Sequence, residues 1–201
     1  MIQYQVSARV VTALEFAEGG DLLDYLEQAS RVPEYKVKYV MYKLLTVSAS
    51  LHKRQIAHLD IKLENIFIMD ETFEGHNVVL GDFGLSSVIQ NGLCTKYVGG
   101  TFTYSAPELI LGTMVNEKAD IWALGICMYA CLTGGMPFAC DYDNYNGIRN
   151  EIITGFPSMY ALIDPSIHSS YAVDLIRRML TVDPHARISA EEALSHPWFR
   201  N

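Results

Sequence analysis

The stretch that decides the fold is His58-Leu59-Asp60-Ile61-Lys62-Leu63-Glu64-Asn65, and Asp82-Phe83-Gly84 follows it along the chain. Between them lie Ile66-Phe67-Ile68-Met69 and Val78-Val79-Leu80, two apolar runs separated by a polar turn, which predict a β-hairpin. This hairpin brings a candidate proton acceptor, Asp60, close to a cation, an amide oxygen and a second carboxylate. Phosphoryl transfer needs such a set, because a hydroxyl must be oriented, charge neutralised and Mg²⁺ given oxygen ligands.

A third motif, Gly100-Thr101-Phe102-Thr103-Tyr104-Ser105-Ala106-Pro107-Glu108, completes the order of motifs that is typical of protein kinases. With these motifs the chain resembles a eukaryotic-type protein kinase from about Leu14 to Phe199. The lysine within Asp-Ile-Lys-Leu-Glu-Asn is similar to that of serine/threonine kinases rather than tyrosine kinases. The runs Asp174–Pro184 and Ala193–Phe199 look most like the calcium/calmodulin-dependent and related kinase group.

The resemblance implies an α+β fold that is mainly helical, a kinase-like large lobe with short β-hairpins. We interpret residues 1–201 as a partial protein kinase domain, a hinge plus a C-terminal large lobe from about 21 to 199. Only thirteen residues precede Leu14, which is room for one strand and a short lead. We therefore expect the small lobe, with its glycine-rich loop and strand lysine, to be largely absent.

Four residues form the catalytic set that the resemblance implies. Asp60 orients the substrate hydroxyl and accepts its proton, and Lys62 neutralises charge on the transferring phosphoryl group. Asn65 and Asp82 offer the oxygen ligands for Mg²⁺, so the implied cofactors are ATP and Mg²⁺. Each residue taken singly is also consistent with satisfying a turn, but the four in this order favour the kinase interpretation.

The stretch Leu14-Glu15-Phe16-Ala17-Glu18-Gly19-Gly20-Asp21 resembles the kinase hinge that holds adenine. The residues assigned to the nucleotide are Leu14, Glu15, Ala17, Asp21, Glu64 and Phe67. The backbone of Glu15 and Ala17 would pair with the adenine edge, and Asp21 would reach the ribose. Leu14 occupies the gatekeeper position and Phe67 would pack under the adenine. A strand followed by Gly-Gly is common in hairpins, so this assignment depends on its distance from the catalytic loop.

Residues 84–105 have weak periodicity and predict a long functional loop. The resemblance makes it the centre of the activation segment, whose assigned residues are Asp82, Phe83, Gly84, Thr95, Thr101, Ala106, Pro107 and Glu108. The Thr101 hydroxyl is expected to touch Asp60 and Lys62. Leu59 stands where most kinases carry an arginine that meets a loop phosphate, so our hypothesis is that loop phosphorylation is not the main on-switch.

Four residues are assigned to structural support: His58, Asp120, Trp122 and Arg187. Asp120 opens a nearly uncharged helix predicted over Asp120–Thr133 and would hold the catalytic-loop backbone. Arg187 is expected to form a buried salt bridge with Glu108. Further helices are predicted from Pro33 to near Arg54, over Asn144–Thr154, over Ala172–Leu180, and from a capping box that opens at Ser189.

The composition limits the class of protein and its partners. With 201 residues, 50% of them hydrophobic, the chain can bury one sizeable core. Its 15 basic against 23 acidic residues argue against nucleic-acid binding. The apolar run 121–139 contains Gly134-Gly135 and Pro137, so we predict a buried helix rather than a membrane span. Four cysteines without C-x-x-C spacing and the lack of a secretory signal favour an intracellular, cytoplasmic protein.

Three interpretations of the chain remain open at this level. The first is a fragment of an active kinase whose partners are protein substrates with serine or threonine acceptors. The second is a catalytically inactive, truncated lobe that acts as a binding or regulatory module, together with a regulatory partner or one that supplies a small lobe. The third is the product of a pseudogene. For the 201-residue chain alone we expect weak ATP-dependent transfer or none.

Overall fold

The structure is a computed structural model that describes residues 2–6, 9–95, 101–138, 145–154 and 168–200. About half of the chain is helical and the sheets are small and antiparallel, which confirms the expected α+β, mainly helical fold. The described elements in chain order are β1 Ile2–Val6, β2 Arg9–Ala13, α1 Leu22–Ala29, α2 Glu34–Lys53, β3 Ile56–Ala57, β4 Ile66–Ile68, β5 Val78–Leu80, β6 Ser87–Gln90, β7 Leu93–Cys94, α3 Pro107–Leu111, α4 Lys118–Thr133, α5 Tyr145–Thr154, α6 Ser170–Met179 and α7 Ala190–Leu194.

Helix α4 lies at the centre of the core. Every residue from Ala119 to Leu132 is buried, because α2 and α6 pack against this helix. It ends at Gly134, whose φ of 79° is left-handed and whose Cβ, if present, would lie 1.9 Å from the carbonyl oxygen of Ser30. The predicted end near Thr133 is therefore confirmed. Within the part of the chain that the structure describes, no helix has both the length and the hydropathy to cross a membrane.

The residues before the hinge form a hairpin and not the single strand that we expected. β1 pairs antiparallel with β2, with Tyr4 opposite Val11. The sequence Ile-Gln-Tyr-Gln-Val alternates in the manner of a strand, and its pairing with the β-branched residues of β2 explains the difference. The hairpin predicted between the two central motifs is confirmed, since β4 and β5 pair with Phe67 opposite Val79.

The segment 84–105, predicted as a loop, contains two strands. β6 pairs with both β3 and β7, and Asn91-Gly92 connects β6 to β7 with φ values of 53° and 78°. An Asn-Gly pair between strands is a strong hairpin signal. The prediction of a loop, which was based on weak periodicity, overlooked this signal. Helices α1 and α3 were also not predicted, although Asp21 is a clear N-cap for α1.

The remaining helix predictions agree with the structure to within one or two residues, which is the usual uncertainty of helix ends. The capping box at the start of α7 is confirmed. Ser189 Oγ accepts the backbone N–H of Glu192, and a Glu192 carboxylate oxygen accepts the backbone N–H of Ser189. Three residues that bounded predicted segments lie outside the described residues: Gly100, Ala139 and Asn144.

The Glu34 carboxylate joins the first turn of α2 to two distant parts of the chain. Its Oε2 accepts the backbone N–H of Ser169 at 2.9 Å, and its Oε1 accepts the indole N–H of Trp198 at 2.8 Å and the Ser169 hydroxyl at 2.5 Å. Burial raises the pKa of this carboxyl, but the hydrogen bonds outweigh it. The pKa of Glu34 is therefore lowered from its ordinary value of 4.5.

Glu34→Gln is expected to lower the free energy of unfolding by about 1–3 kcal/mol near neutral pH, because charged hydrogen bonds are lost. Since the pKa is lower in the folded state, the carboxylate contributes stability above pH 4.5 and loses it as the pH falls through the folded-state value. The difference in unfolding free energy between the wild type and the variant should therefore become smaller as the pH is lowered. Urea unfolding of both proteins across this pH range measures it. The control is Glu27→Gln on the exposed side of α1, and an equal difference at every pH would contradict the expectation.

Candidate active site

Asp60, Lys62, Asn65 and Thr101 form one hydrogen-bonded cluster. The Asn65 side-chain amide donates to Asp60 Oδ2 at 3.1 Å and to the Asp60 carbonyl at 2.8 Å. Lys62 Nζ lies 3.5 Å from Asp60 Oδ2 and donates to Thr101 Oγ1 at 3.1 Å. The Thr101 hydroxyl donates to Asp60 Oδ1 at 3.4 Å. The structure thus brings together the proton-acceptor candidate, the cation and the threonine that the sequence suggested would touch them.

Asp120, at the start of α4, holds the backbone of this loop. Its side chain is buried, its Oδ1 accepts the N–H of Leu59 at 2.8 Å, and its Oδ2 accepts the N–H of His58 at 2.9 Å. Leu59 has a φ of 64°, a left-handed conformation that costs a residue with a Cβ of order 1–3 kcal/mol. His52 Nε2 donates to the same Asp120 Oδ2 at 2.8 Å. His52 was not assigned a role from the sequence, because no local motif indicates that it binds Asp120.

The His58 imidazole connects the two central motifs. Its Nε2 donates to the carbonyl of Gly81 at 3.0 Å, and its Nδ1 accepts the backbone N–H of Asp60 at 3.3 Å. This pair of bonds requires the tautomer with the proton on Nε2, because a carbonyl can only accept. The ring also packs edge-on against Phe83, with centroids 4.7 Å apart. His58 therefore links Gly81 and Phe83, on either side of Asp82, to the loop that carries Asp60.

Asp82 lies beside Asn65 because the Gly81 N–H donates to the Asn65 carbonyl at 2.9 Å. Asp82 has a φ of 55°, and its Oδ1 accepts the N–H of Gly84 at 3.0 Å. Because Asn65 directs its amide nitrogen to Asp60, its side-chain oxygen and Asp82 Oδ2 accept no hydrogen bond from the residues that the structure describes, and both could bind a metal ion. Two hard oxygen atoms fit Mg²⁺, which takes few protein ligands and fills its shell with water and phosphate oxygens. Within the described residues, no group of three or more His, Cys, Asp or Glu forms a denser metal site.

The hinge-like segment is joined to β4 by backbone hydrogen bonds. The Gly19 N–H donates to the Ile68 carbonyl at 3.0 Å, and the Ile68 N–H donates to the Gly20 carbonyl at 2.9 Å. A Cβ at Gly19 would lie 2.4 Å from the Asp70 carbonyl oxygen, so only glycine allows this approach. These contacts bring the chain after Ala17 alongside β4 and Phe67.

Phe67 and the residues of the hinge differ in how well they are packed. Phe67 is half-buried, and a Cβ at Gly81 would lie 2.6 Å from its ring, so Gly81 makes room for the ring. Leu14 and Phe16 are 71% and 82% exposed, Glu15 is exposed and Ala17 half-buried. Phe16 was not assigned from the sequence. The apolar surface around the predicted adenine position is therefore largely open on the hinge side.

Two carboxylates assigned to the nucleotide have protein partners in this structure. Asp21 Oδ1 accepts the backbone N–H of Asp24 at 2.9 Å and so caps α1. Glu64 Oε2 accepts the hydroxyl of Tyr104 at 3.2 Å. Burial raises the pKa of the Tyr104 hydroxyl, which keeps it protonated as the donor. Any contact of Asp21 or Glu64 with a ligand must share or replace these bonds.

The Glu108–Arg187 pair supports the segment that follows the cluster. The guanidinium binds the carboxylate through two bonds of 2.7 and 2.9 Å, and both side chains are buried. Arg187 also donates to three carbonyls, those of Thr181, Lys118 and Val182. Its five N–H groups are thus all used. The guanidinium carbon lies 5.1 Å from the centroid of the Trp122 ring.

Comparison with known proteins gives the family. The model of the protein kinase domain matches residues 2–199. The chain belongs to the protein kinase family. The kinase domain is 35% identical over 96% of its length to the SNF1-related protein kinase catalytic subunit alpha KIN12 of Arabidopsis thaliana, covering 37% of that protein.

Two further relatives are serine/threonine kinases by name. The kinase domain is 38% identical over 92% of its length to the serine/threonine-protein kinase cds1 of Schizosaccharomyces pombe, and 35% identical over 98% to the serine/threonine-protein kinase DCLK1 of Rattus norvegicus. It covers 40% and 45% of these two proteins, so it spans less than half the length of each of the three relatives named. The resemblance to serine/threonine kinases is confirmed.

Proposed function

We propose that this kinase domain transfers the γ-phosphoryl group of Mg-ATP to serine or threonine hydroxyls of proteins. The observation that carries the proposal is the cluster in which Lys62, Asn65 and Thr101 each lie within hydrogen-bond or ion-pair distance of Asp60. The family match and the names of the relatives support it. We assign residues 1–201 to a partial kinase domain, a hinge plus a C-terminal large lobe from about 21 to 199.

In the proposed reaction Asp60 receives the acceptor hydroxyl and takes its proton, a role that depends on its position more than on its basicity. Lys62, 3.5 Å from Asp60 Oδ2, neutralises charge that develops on the transferred group. Asn65 and Asp82 would hold Mg²⁺ through their free side-chain oxygens. Bound Mg-ATP supplies the phosphoryl group.

The nucleotide is placed on the hinge side of the cluster. The backbone at Glu15 and Ala17 would hold the adenine edge, and Phe67 would pack against the adenine ring. Leu14 would flank the base at the gatekeeper position, and Asp21 and Glu64 would contribute by sharing or exchanging their present hydrogen bonds. His58, Asp120, Trp122 and Arg187 act as supports, and the activation segment runs from Asp82, Phe83 and Gly84 through Thr95 to Ala106, Pro107 and Glu108.

Incubating the purified chain with Mg²⁺, ATP labelled at the γ-phosphate and three peptide pools tests the proposal. The pools carry serine, threonine or tyrosine as the sole acceptor. We expect label in the serine and threonine pools, at a low rate for the 201-residue chain alone. Label confined to the tyrosine pool, or label that does not depend on Mg²⁺, would contradict the proposal.

A second candidate function is a catalytically inactive lobe that binds a regulatory or small-lobe-supplying partner. The observation in its favour is the exposed apolar surface of Leu14, Phe16 and Phe83, at 71%, 82% and 47%. This candidate predicts no labelled peptide and the same melting temperature with and without Mg-ATP. The kinase proposal predicts a higher melting temperature with Mg-ATP, because a ligand that binds only the folded state stabilises it.

A further inference from the structure

The hairpin of β1 and β2 has two strand edges that pair with no other strand among the residues that the structure describes. Neither strand packs extensively against another described element, so the hairpin depends mainly on its own pairing. A two-stranded sheet is only marginally stable in water, whereas three or more strands with an apolar face form a stable sheet. A free strand edge also presents a row of backbone N–H and C=O groups, which is the template for another strand.

The register of the hairpin determines which backbone groups lie on the free edge of β1. Val6 pairs with Arg9 and only two residues separate them, so this closing pair exchanges its own backbone hydrogen bonds. Hydrogen-bonded and non-hydrogen-bonded pairs alternate along an antiparallel ladder. The pair at Tyr4 is therefore hydrogen-bonded as well. Gln3 and Gln5, which lie between the hydrogen-bonded pairs, direct their backbone N–H and C=O groups away from β2.

The sequence of β1 is complementary to a second copy of itself. Ile-Gln-Tyr-Gln-Val has the same pattern in both directions, and it contains no charged residue and no proline, the residues that commonly protect a strand edge. An antiparallel copy centred on Tyr4 places Gln3 opposite Gln5 twice. Because both residues direct their backbone groups outward, these two pairs form four hydrogen bonds. Any other antiparallel register within the five residues of β1 forms at most one such pair.

The same register also matches the residue types. It places Ile2 opposite Val6, Tyr4 opposite Tyr4 and one glutamine opposite another, and like residue types at directly opposite positions are favourable cross-strand pairs when they are apolar, aromatic or uncharged. Since apolar residues alternate with glutamines along β1, the apolar residues of both copies lie on one face of the combined sheet. The register that forms the most backbone hydrogen bonds is therefore also the register in which the sequence matches itself.

We propose that two copies of this chain associate through β1 and form a continuous antiparallel sheet with the strand order β2-β1-β1-β2. The contact has a twofold axis at Tyr4, so it closes as a dimer and leaves no β1 edge for further growth. It converts two marginal hairpins into one four-stranded sheet. The same arrangement through β2 would place Arg9 opposite Ala13, so β2 lacks this self-complementarity.

Sedimentation velocity of the full 201-residue chain without nucleotide, at concentrations from micromolar upward, tests the proposal. We expect the mass to rise with concentration from that of one chain to that of two. Gln3→Glu combined with Gln5→Glu places a carboxylate opposite a carboxylate in both pairs. This double variant should raise the dissociation constant of the dimer about tenfold or more.

The matched control is Gln3→Lys combined with Gln5→Glu, which changes the same two positions but places an ammonium group opposite a carboxylate in both pairs. It should keep the dimer. Within the hairpin these positions pair with Thr12 and Val10, which are uncharged, so neither double variant places like charges opposite each other there. A melting curve for each variant checks that it is folded.

Gln5→Pro tests the backbone contact itself. It removes an N–H that points away from β2, so the hairpin keeps its own hydrogen bonds while the dimer loses two of four. Thr12→Pro removes the equivalent outward N–H from the β2 edge and should leave the dimer intact.

The proposal is overturned if the wild type has the mass of one chain at every concentration, or if its mass grows beyond two chains. It is also overturned if the two double variants dimerise equally, or if Thr12→Pro weakens the dimer as much as Gln5→Pro. Because the assay contains no ATP, its outcome is separate from that of the proposed phosphoryl transfer.

Discussion

Asp60→Asn lowers the rate of peptide phosphorylation by about 10²–10⁴-fold, the usual contribution of a general base. The asparagine amide has nearly the same shape and can still accept the bond from Asn65 through its oxygen, so the loop should keep its conformation. It can neither take up a proton nor balance the charge of Lys62. Initial rates with the serine peptide pool at saturating Mg-ATP measure the effect.

The matched control is Asp70→Asn, the same substitution on an exposed aspartate in the turn between β4 and β5. Its rate should equal that of the wild type. A melting curve with Mg-ATP shows whether Asp60→Asn still binds nucleotide, which the proposed role requires. If the variant kept a rate within about threefold of wild type, Asp60 would not be the group that receives the hydroxyl proton.

Arg187→Met is expected to lower the free energy of unfolding by about 3–5 kcal/mol, the cost of breaking a buried ion pair from one side. The methionine fills much of the volume but leaves the Glu108 carboxylate buried without its partner. It also removes the donors for the carbonyls of Thr181, Lys118 and Val182. Urea unfolding followed by circular dichroism measures the loss, and a low soluble yield is consistent with it.

Glu108→Gln distinguishes the ion pair from the carbonyl contacts. The amide oxygen can still accept from the guanidinium, and the three carbonyls keep their donors, so this variant should lose less stability than Arg187→Met. Arg31→Met serves as the surface control and should change the unfolding free energy by less than about 0.5 kcal/mol, because Arg31 is exposed. An Arg187→Met protein as stable as that control would show that the pair contributes no net stability.

Much of the candidate site could be predicted because its residues are close in sequence. Asp60, Lys62 and Asn65 lie within one short loop, and the β4–β5 hairpin necessarily returns the chain toward them. The capping box at Ser189 and the end of α4 at Gly134 depend equally on local backbone chemistry. The strands β6 and β7 also had a local signal in Asn91-Gly92, which was missed.

Other features could not be predicted because they join residues that are far apart along the chain. The bond from His52 to Asp120 depends on how the end of α2 packs against the start of α4. Glu34 reaches Ser169 and Trp198 only in the folded core. The hydrogen bond from the Tyr104 hydroxyl to Glu64 likewise joins residues that are 40 positions apart.

The sequence by itself determined the family, the order of its motifs and which residues are candidates for catalysis. These features follow from side-chain chemistry and from the local spacing of residues, both of which are given by the amino-acid sequence. Only the tertiary structure decided that His52 also donates to Asp120, which three carbonyls Arg187 donates to besides Glu108, and that α6 and α7 leave a groove between them. These depend on how whole helices pack, because burial removes water and each buried polar group then needs a partner that packing brings to it.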